Sequence, residues 1–302
     1  MTHPSRIIGA GLSGLLAAHA WPNVPIVEAS REPKPHRALL RFRTENVARL
    51  TGIEFKKVLV RKGLWFAGAY RSPTIALANM YSQKVLNRII GDRSIWNLDA
   101  VERFIAPEEF QERLLDNVKA RVTFGTPDDM RGQQPFISTA PMPVALNVLG
   151  IHHTINFTRA AIEVTRYRVP RCDAHQTVYF PDPGVGVYRA SITGDVLIVE
   201  SIINKTQGID RPWADQLNVA FGIRLADCEP IGTVNQEFGK IVSLRDADRR
   251  SLMFTLTAHH GLYSLGRFAQ WRNILLDDVV NDIHVIKRLM ATDRYELRKA
   301  AS

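Results

Sequence analysis

Arg6-Ile-Ile-Gly-Ala-Gly-Leu-Ser-Gly14 runs from a short apolar strand into a glycine loop and out of it into a helix. Gly9, Gly11 and Gly14 stand in the spacing GxGxxG. Leu12, Leu15 and Leu16 carry the packing side of a helix predicted over 12–20, which Trp21-Pro22 stops. Pro25-Ile-Val-Glu28 is the next strand and ends on a carboxylate. Each part suits a dinucleotide. The glycines allow a tight turn and close backbone approach to a diphosphate, the helix N-terminus offers amide donors, and the acid takes ribose hydroxyls. The candidate contacts are Gly9, Gly11, Leu12, Ser13 and Gly14 in the loop, with Glu28 and Ala29 after it. A carboxylate at 28 would repel a ribose phosphate, which disfavours NADP; FAD and NAD share the pattern.

Outward from this opening, strands are expected over 55–60 and 64–67, and a helix from Ser72-Pro73 to Ile90. A second helix is expected from Pro107 to Lys119, then strands at 121–124 and 136–140 and a short helix behind Pro141-Met-Pro143. Residues 160–169, 176–180, 185–190 and 196–202 are successive β-rich runs split by Pro, Gly and Asp, which reads as an antiparallel sheet. A strand at 261–266 and a long helix over 277–290 follow. The implied class is α/β, α+β overall: a discontinuous Rossmann-like cofactor domain (1–60, 114–150 and 243–302) with an inserted antiparallel substrate domain (61–113 and 151–242).

The 302 residues are 45% hydrophobic and 23% charged, an ordinary globular composition that excludes disordered and collagen-like classes. No uncharged apolar run reaches the ~20 residues of a membrane helix. The glycine motif begins at once, leaving no room for a signal peptide, and Cys172 and Cys228 cannot make a disulfide framework, so a reducing cytoplasm is expected. The net charge is +9, and the segment from Arg31 to Arg93 carries fourteen basic residues against four acids. That segment is +10 and the remainder −1, which points to a polyanionic partner: DNA or a phosphorylated small molecule. The pairs His152-His153 and His259-His260 are expected on strands, pointing to opposite faces, so neither is read as a metal site.

The far end separates FAD from NAD. Residues 262–280, from Leu-Tyr-Ser-Leu-Gly-Arg to Leu-Leu-Asp-Asp-Val-Val, resemble the C-terminal flavin segment of the amine oxidase and UDP-galactopyranose mutase group. Phe136-Ile-Ser-Thr-Ala-Pro-Met-Pro143 resembles that group's I-S-T-x-P-x-P passage. The resemblance implies FAD, with Gly266 and Arg267 beside the flavin ring and Asp277, Asp278 and Val279 starting a helix under the ribityl chain and diphosphate. The group's Gly-Gly-Arg turn is replaced here by Ala29-Ser-Arg-Glu-Pro-Lys-Pro-His-Arg37, so Arg31 or Arg37 takes the phosphate contact. For catalysis or substrate contact the candidates are Arg267, Trp271, Arg189, Tyr188 and His153, with at most one of the neighbours Tyr188 and Arg189 facing the pocket.

Compactness and the basic segment also resemble the bacteriophage FAD enzymes of thymine hypermodification. That likeness implies an oxidoreductase or lyase that oxidises an amino-acid group on a thymine base, forming an imine before the carbon–nitrogen bond breaks. The alternatives are a mutase-like enzyme for a nucleotide sugar and a non-catalytic flavin- or nucleic-acid-binding protein.

Overall fold

The computed structural model describes residues 3–32, 40–91, 95–132, 134–203 and 213–291. The chain opens with β1 (Ile7–Ile8), α1 (Leu12–Ala20) and β2 (Ile26–Glu28). It crosses to a second sheet through β3 (Arg41–Phe42), α2 (Asn46–Thr51), β4 (Lys56–Phe66), β5 (Ala69–Tyr70), α3 (Ile75–Leu86) and β6 (Val101–Ile105). α4 (Phe110–Asp116), β7 (Val122–Phe124), β8 (Phe136–Ser138) and α5 (Met142–Val148) return to the first sheet. β9 (Arg159–Arg168), β10 (Ala174–Tyr179), β11 (Val187–Gly194), β12 (Val196–Ile202), α6 (Trp213–Phe221) and β13 (Glu229–Ile241) complete the second. α7 (Asp246–His260), β14 (Leu262–Ser264) and α8 (Leu276–Ala291) close the first.

The first sheet is parallel throughout, in the order β14-β8-β1-β2-β7. Its strands are two or three residues long, so helices must cover both faces to bury enough apolar surface. Ile7, Ile137 and Tyr263 pack in the core with α1 and α8. Ile8, Phe136 and Leu262 point the other way, onto Met142 and Leu146 of α5 and Leu252 and Leu256 of α7. This is the expected Rossmann-like α/β domain.

The second sheet has nine strands, with β5 on β4 and the path β13-β9-β12-β11-β10-β4-β6-β3. Pairing is antiparallel except between β10 and β4. Leu77, Tyr81 and Val85 of α3 cover one face with Ile162, Val164 and Ile198; Leu217 and Ala220 of α6 cover the other with Val178, Ile192 and Val199.

Several details differ from the sequence reading. Lys56–Phe66 forms one strand, not two, and Gly63 lets the Tyr70 ring lie across it: a Cβ there would sit 2.4 Å from Tyr70 Cε1. α3 starts after Thr74, whose hydroxyl accepts from Leu77 N, and stops at Asn87 in the left-handed conformation. β3 and the first half of β4 belong to the second sheet, so that sheet takes residues from before position 61. His259 and His260 end α7 and His152 and His153 lie in a loop; neither pair is on a strand. Among the described residues no helix is long and apolar enough to cross a membrane.

Candidate functional site

In a parallel sheet all strand C-termini share one edge, and ligands of open α/β sheets bind there. Gly9 follows β1, Glu28 ends β2, Thr139 follows β8 and Gly266-Arg267 follows β14, so the four sequence signals converge on one edge. The three glycines of the loop do different work. Gly9 has φ +95°, and a Cβ on it would meet Thr139 Oγ1 at 2.3 Å. A Cβ on Gly14 would lie 1.8 Å from the Gly9 carbonyl oxygen. These two allow strand, loop and helix to touch. Gly11, the N-cap of α1, has no protein atom within 4 Å of its missing side chain. Open space therefore borders the helix N-terminus where a diphosphate belongs, and the residues present fit a dinucleotide.

Glu28 Oε2 accepts from Ala10 N at 2.7 Å and Oε1 from Ser30 N at 2.8 Å. The carboxylate thus locks the glycine loop to the end of β2, on either side of Ala29, and each oxygen keeps lone-pair capacity for a ribose hydroxyl. Leu12 is mostly buried in the α1 core. Gly266, at φ +95°, packs on Ser13, whose Oγ would lie 2.4 Å from an added Cβ. The two ends of the chain's motif set therefore touch through Ser13 and Gly266. Arg267 is half-buried beside the Phe268 ring, at 5.7 Å from its centroid. Arg37 lies outside the described residues; Arg31 is exposed, with its Cγ against Gly125.

α8 starts at Leu276, with Asp277 and Asp278 in its first turn. Asp277 is 4% exposed, and its Oδ1 accepts from Thr44 N and Thr44 Oγ1, both at 2.9 Å, and from Arg43 N at 3.1 Å. Asp278 pairs with Arg43 at 2.6 Å and accepts from Leu275 N. Val279 is 1% exposed in the core. These residues tie α8 to the loop after β3. Arg43 and Thr44, which the sequence reading passed over, complete that junction.

Two catalytic candidates lack any surface. Trp271 is 0% exposed, at φ +44°, with Phe157 and Phe238 edge-on to its ring. It is a core residue. Tyr188 is also 0% exposed, and its hydroxyl donates to Glu200 Oε1 at 2.9 Å. Arg189 grips the same carboxylate through Nε and NH2. The alternation rule fails here because the β11–β12 register shifts between Val187 and Arg189, and a bulge lets two successive side chains reach one partner. Lys240 of β13 lies 3.9 Å from Glu200 and over the Tyr188 ring. Burial alone would raise the Glu200 pKa, but Arg189, Lys240 and the two hydrogen-bond donors outweigh it and hold the carboxyl at about 2. Burial and then Glu200 push the Tyr188 hydroxyl well up. Glu200 and Lys240 were also missed; a lone acid in the apolar run Val196-Leu-Ile-Val-Glu-Ser-Ile202 was the available signal, since such an acid must find partners. His153 is exposed, its ring edge-on to Phe157.

The basic segment is less segregated in space than in sequence. Lys57 pairs with Glu102 at 2.7 Å, Lys56 with Asp173 at 3.8 Å and Arg49 with Glu45 at 3.2 Å. Buried Lys84 donates to the carbonyls of Phe180, Asp182 and Val187, each at 2.7 Å. Arg31, Arg61, Arg71 and Arg88 are exposed, while Lys34, Arg37 and Arg93 lie outside the described residues.

No protein-family model matches the chain, and no curated protein matches it. Solved structures do. A reduced UDP-galactopyranose mutase is 13% identical with a TM-score of 0.62, covering 98% of this chain and 97% of its own. An oxidoreductase from Methanosarcina mazei is 9% identical at 0.57, covering 95% and 100%. A flavin-dependent brominase is 12% identical at 0.52, covering 99% and 83%. The fold is that of the FAD-binding, Rossmann-type flavoproteins. The likeness to the mutase runs through both sheets, since it covers nearly all of each chain.

Proposed function

We propose that this protein is an FAD-dependent oxidoreductase acting on an amine or amino-acid group of an anionic substrate. The observation that carries the reading is the shared sheet edge, where the open side of Gly11, the carboxylate of Glu28 and the Gly266-Arg267 turn line up as a dinucleotide needs. The α1 N-terminus would hold the diphosphate, Glu28 the ribose, and Arg267 would stand at the ring end. FAD bound there supplies hydride acceptance, the chemistry that amine oxidation requires. The chain's own task is to orient the amine-bearing carbon and to bind the substrate's negative charge, for which guanidinium groups are well shaped.

The purified protein is expected to be yellow and to release FAD on denaturation. Mixing it anaerobically with amine substrates is expected to bleach the flavin. A mutase-like enzyme for a nucleotide sugar, favoured by the full-length likeness to the mutase structure, would need its flavin reduced beforehand and would not bleach with amines. Arg267→Ala is expected to keep FAD and to lose about 10²-fold in turnover, the usual loss when a charged group facing the reacting centre is removed. A colourless or unfolded Arg267→Ala protein would assign Arg267 to the fold.

The largest substrate in this class is an amino-acid-modified thymine in DNA. The exposed Arg31, Arg61, Arg71 and Arg88 would carry its phosphates. Four such contacts give a logarithmic salt slope of about −3.6. Binding measured over a salt series tests it: no binding at low salt confines the substrate to small anions.

A further inference from the structure

Arg41 starts β3, and its side chain crosses to the middle of the curled second sheet. Its Nε donates to Thr193 Oγ1 at 3.1 Å and its NH1 to Thr177 Oγ1 at 2.7 Å. Its NH2 donates to the carbonyls of Gln176 and Ile192. All these acceptors are neutral, and among the described residues Arg41 forms no salt bridge. Arg103 of β6 lies two residues from Ile105, the partner of Arg41 in the ladder, and so shares its face. Its NH1 donates to the Glu102 carbonyl at 2.7 Å, and it too forms no salt bridge among the described residues. Arg189 is the third guanidinium here: Thr177 and Tyr179 of β10 sit opposite Ser191 and Arg189 of β11, on the face Arg41 crosses. Glu200 fixes one side of Arg189, and 27% of its side chain stays exposed.

These cations press on one another. Burial first, then Arg189 and Arg103, bring the Arg41 guanidinium down to about 9. Burial and then Arg41 lower the neighbouring His175. Four neutral acceptors hold the Arg41 guanidinium between β3, β10 and β11, and none of them balances its charge. A half-buried guanidinium among like charges is costly, and a negative group offsets that cost.

We propose that Arg41, Arg103 and Arg189 form an oxyanion subsite on this sheet face, taking a compact carboxylate or phosphate of the substrate, with Glu200 as the positioning residue for Arg189. The assignment of the anion to the substrate rests on the oxidoreductase reading; the subsite itself does not. Inorganic phosphate and acetate, titrated separately into the purified full chain at constant ionic strength and followed by calorimetry, test it. At least one of the two is expected to bind, phosphate more tightly if the recognised group is a phosphoryl, acetate if it is a carboxylate. Arg41→Gln and Arg103→Gln are each expected to weaken that binding about tenfold. Arg250→Gln, at an exposed position of α7, is expected to leave it unchanged. Gly11→Ala should also keep it, so a failure of the FAD reading leaves the subsite standing. Equal affinity in wild type, Arg41→Gln and Arg103→Gln, loss in Gly11→Ala alone, or no binding of either ion overturns the proposal. Arg41 and Arg103 are used for the test because neither partners a buried carboxylate; Arg103→Gln carries it should Arg41→Gln, which gives up the bonds to β10 and β11, fail to fold.

Discussion

Gly11→Ala is expected to strip FAD from a protein that stays folded. A methyl group at position 11 meets no protein atom within 4 Å, and the residue sits at φ −70°, where alanine is at ease. The folded chain therefore has no reason to object. The diphosphate does, because the open space beside the α1 N-terminus is where it must approach the backbone. Overpacking of one methyl costs about 1–3 kcal/mol, which is about 5- to 150-fold in affinity. Gly14→Ala is the contrast: its Cβ would lie 1.8 Å from the Gly9 carbonyl oxygen, so that variant is expected to be unfolded or insoluble. Flavin content by absorbance, alongside thermal unfolding, reads both. Unchanged FAD in Gly11→Ala would remove the glycine loop from the cofactor site.

Glu200 should dominate the acid sensitivity of the second sheet. Its carboxyl titrates at about 2 in the folded chain against an ordinary 4.5, because Arg189 and Lys240 stabilise the charge more than burial penalises it. A depressed carboxyl contributes its stability above the unfolded pKa and loses it as the pH falls through the folded one. The window is therefore from about pH 4.5 down to about 2, and the contribution is about 3 kcal/mol. Glu200→Gln is expected to lose about 3 kcal/mol at neutral pH, since the half-buried Arg189 guanidinium loses the buried carboxylate that grips it. Its stability should also vary less between pH 5 and 2. Denaturant unfolding at several pH values measures this, and a variant that keeps the wild-type acid slope would place the titration elsewhere.

The cofactor half was readable because its signals are local. A GxGxxG loop, an acid at the end of the next strand and a Gly-Arg turn each state their geometry in a few residues, and α1 runs from Leu12 to Ala20 as expected. The second sheet was readable only as a run of strands. Which face a side chain takes depends on registers fixed by distant partners, and the bulge between Val187 and Arg189 changed the answer for the two residues that mattered most there. The partners of Asp277 and Asp278 were out of sight for a related reason. Their partners, Arg43 and Thr44, come from more than 230 positions earlier, and no local pattern announces that meeting. The acids that partner part of the basic segment, Asp173, Glu102 and Asp278, were equally out of sight, since they reach it only in three dimensions.

The strand order β14-β8-β1-β2-β7 also sets a timetable. β1 pairs with β8, about 130 residues later, and β8 pairs with β14, again about 125 residues on. Ser13, in the first helix, finds its packing partner only at Gly266. Parallel pairings across such separations close large loops before contacts reward them, which slows folding. During synthesis the glycine loop emerges well before β14, which completes its surroundings. Until β14 follows, the nascent chain exposes an unfinished parallel sheet, open to chaperones and to aggregation.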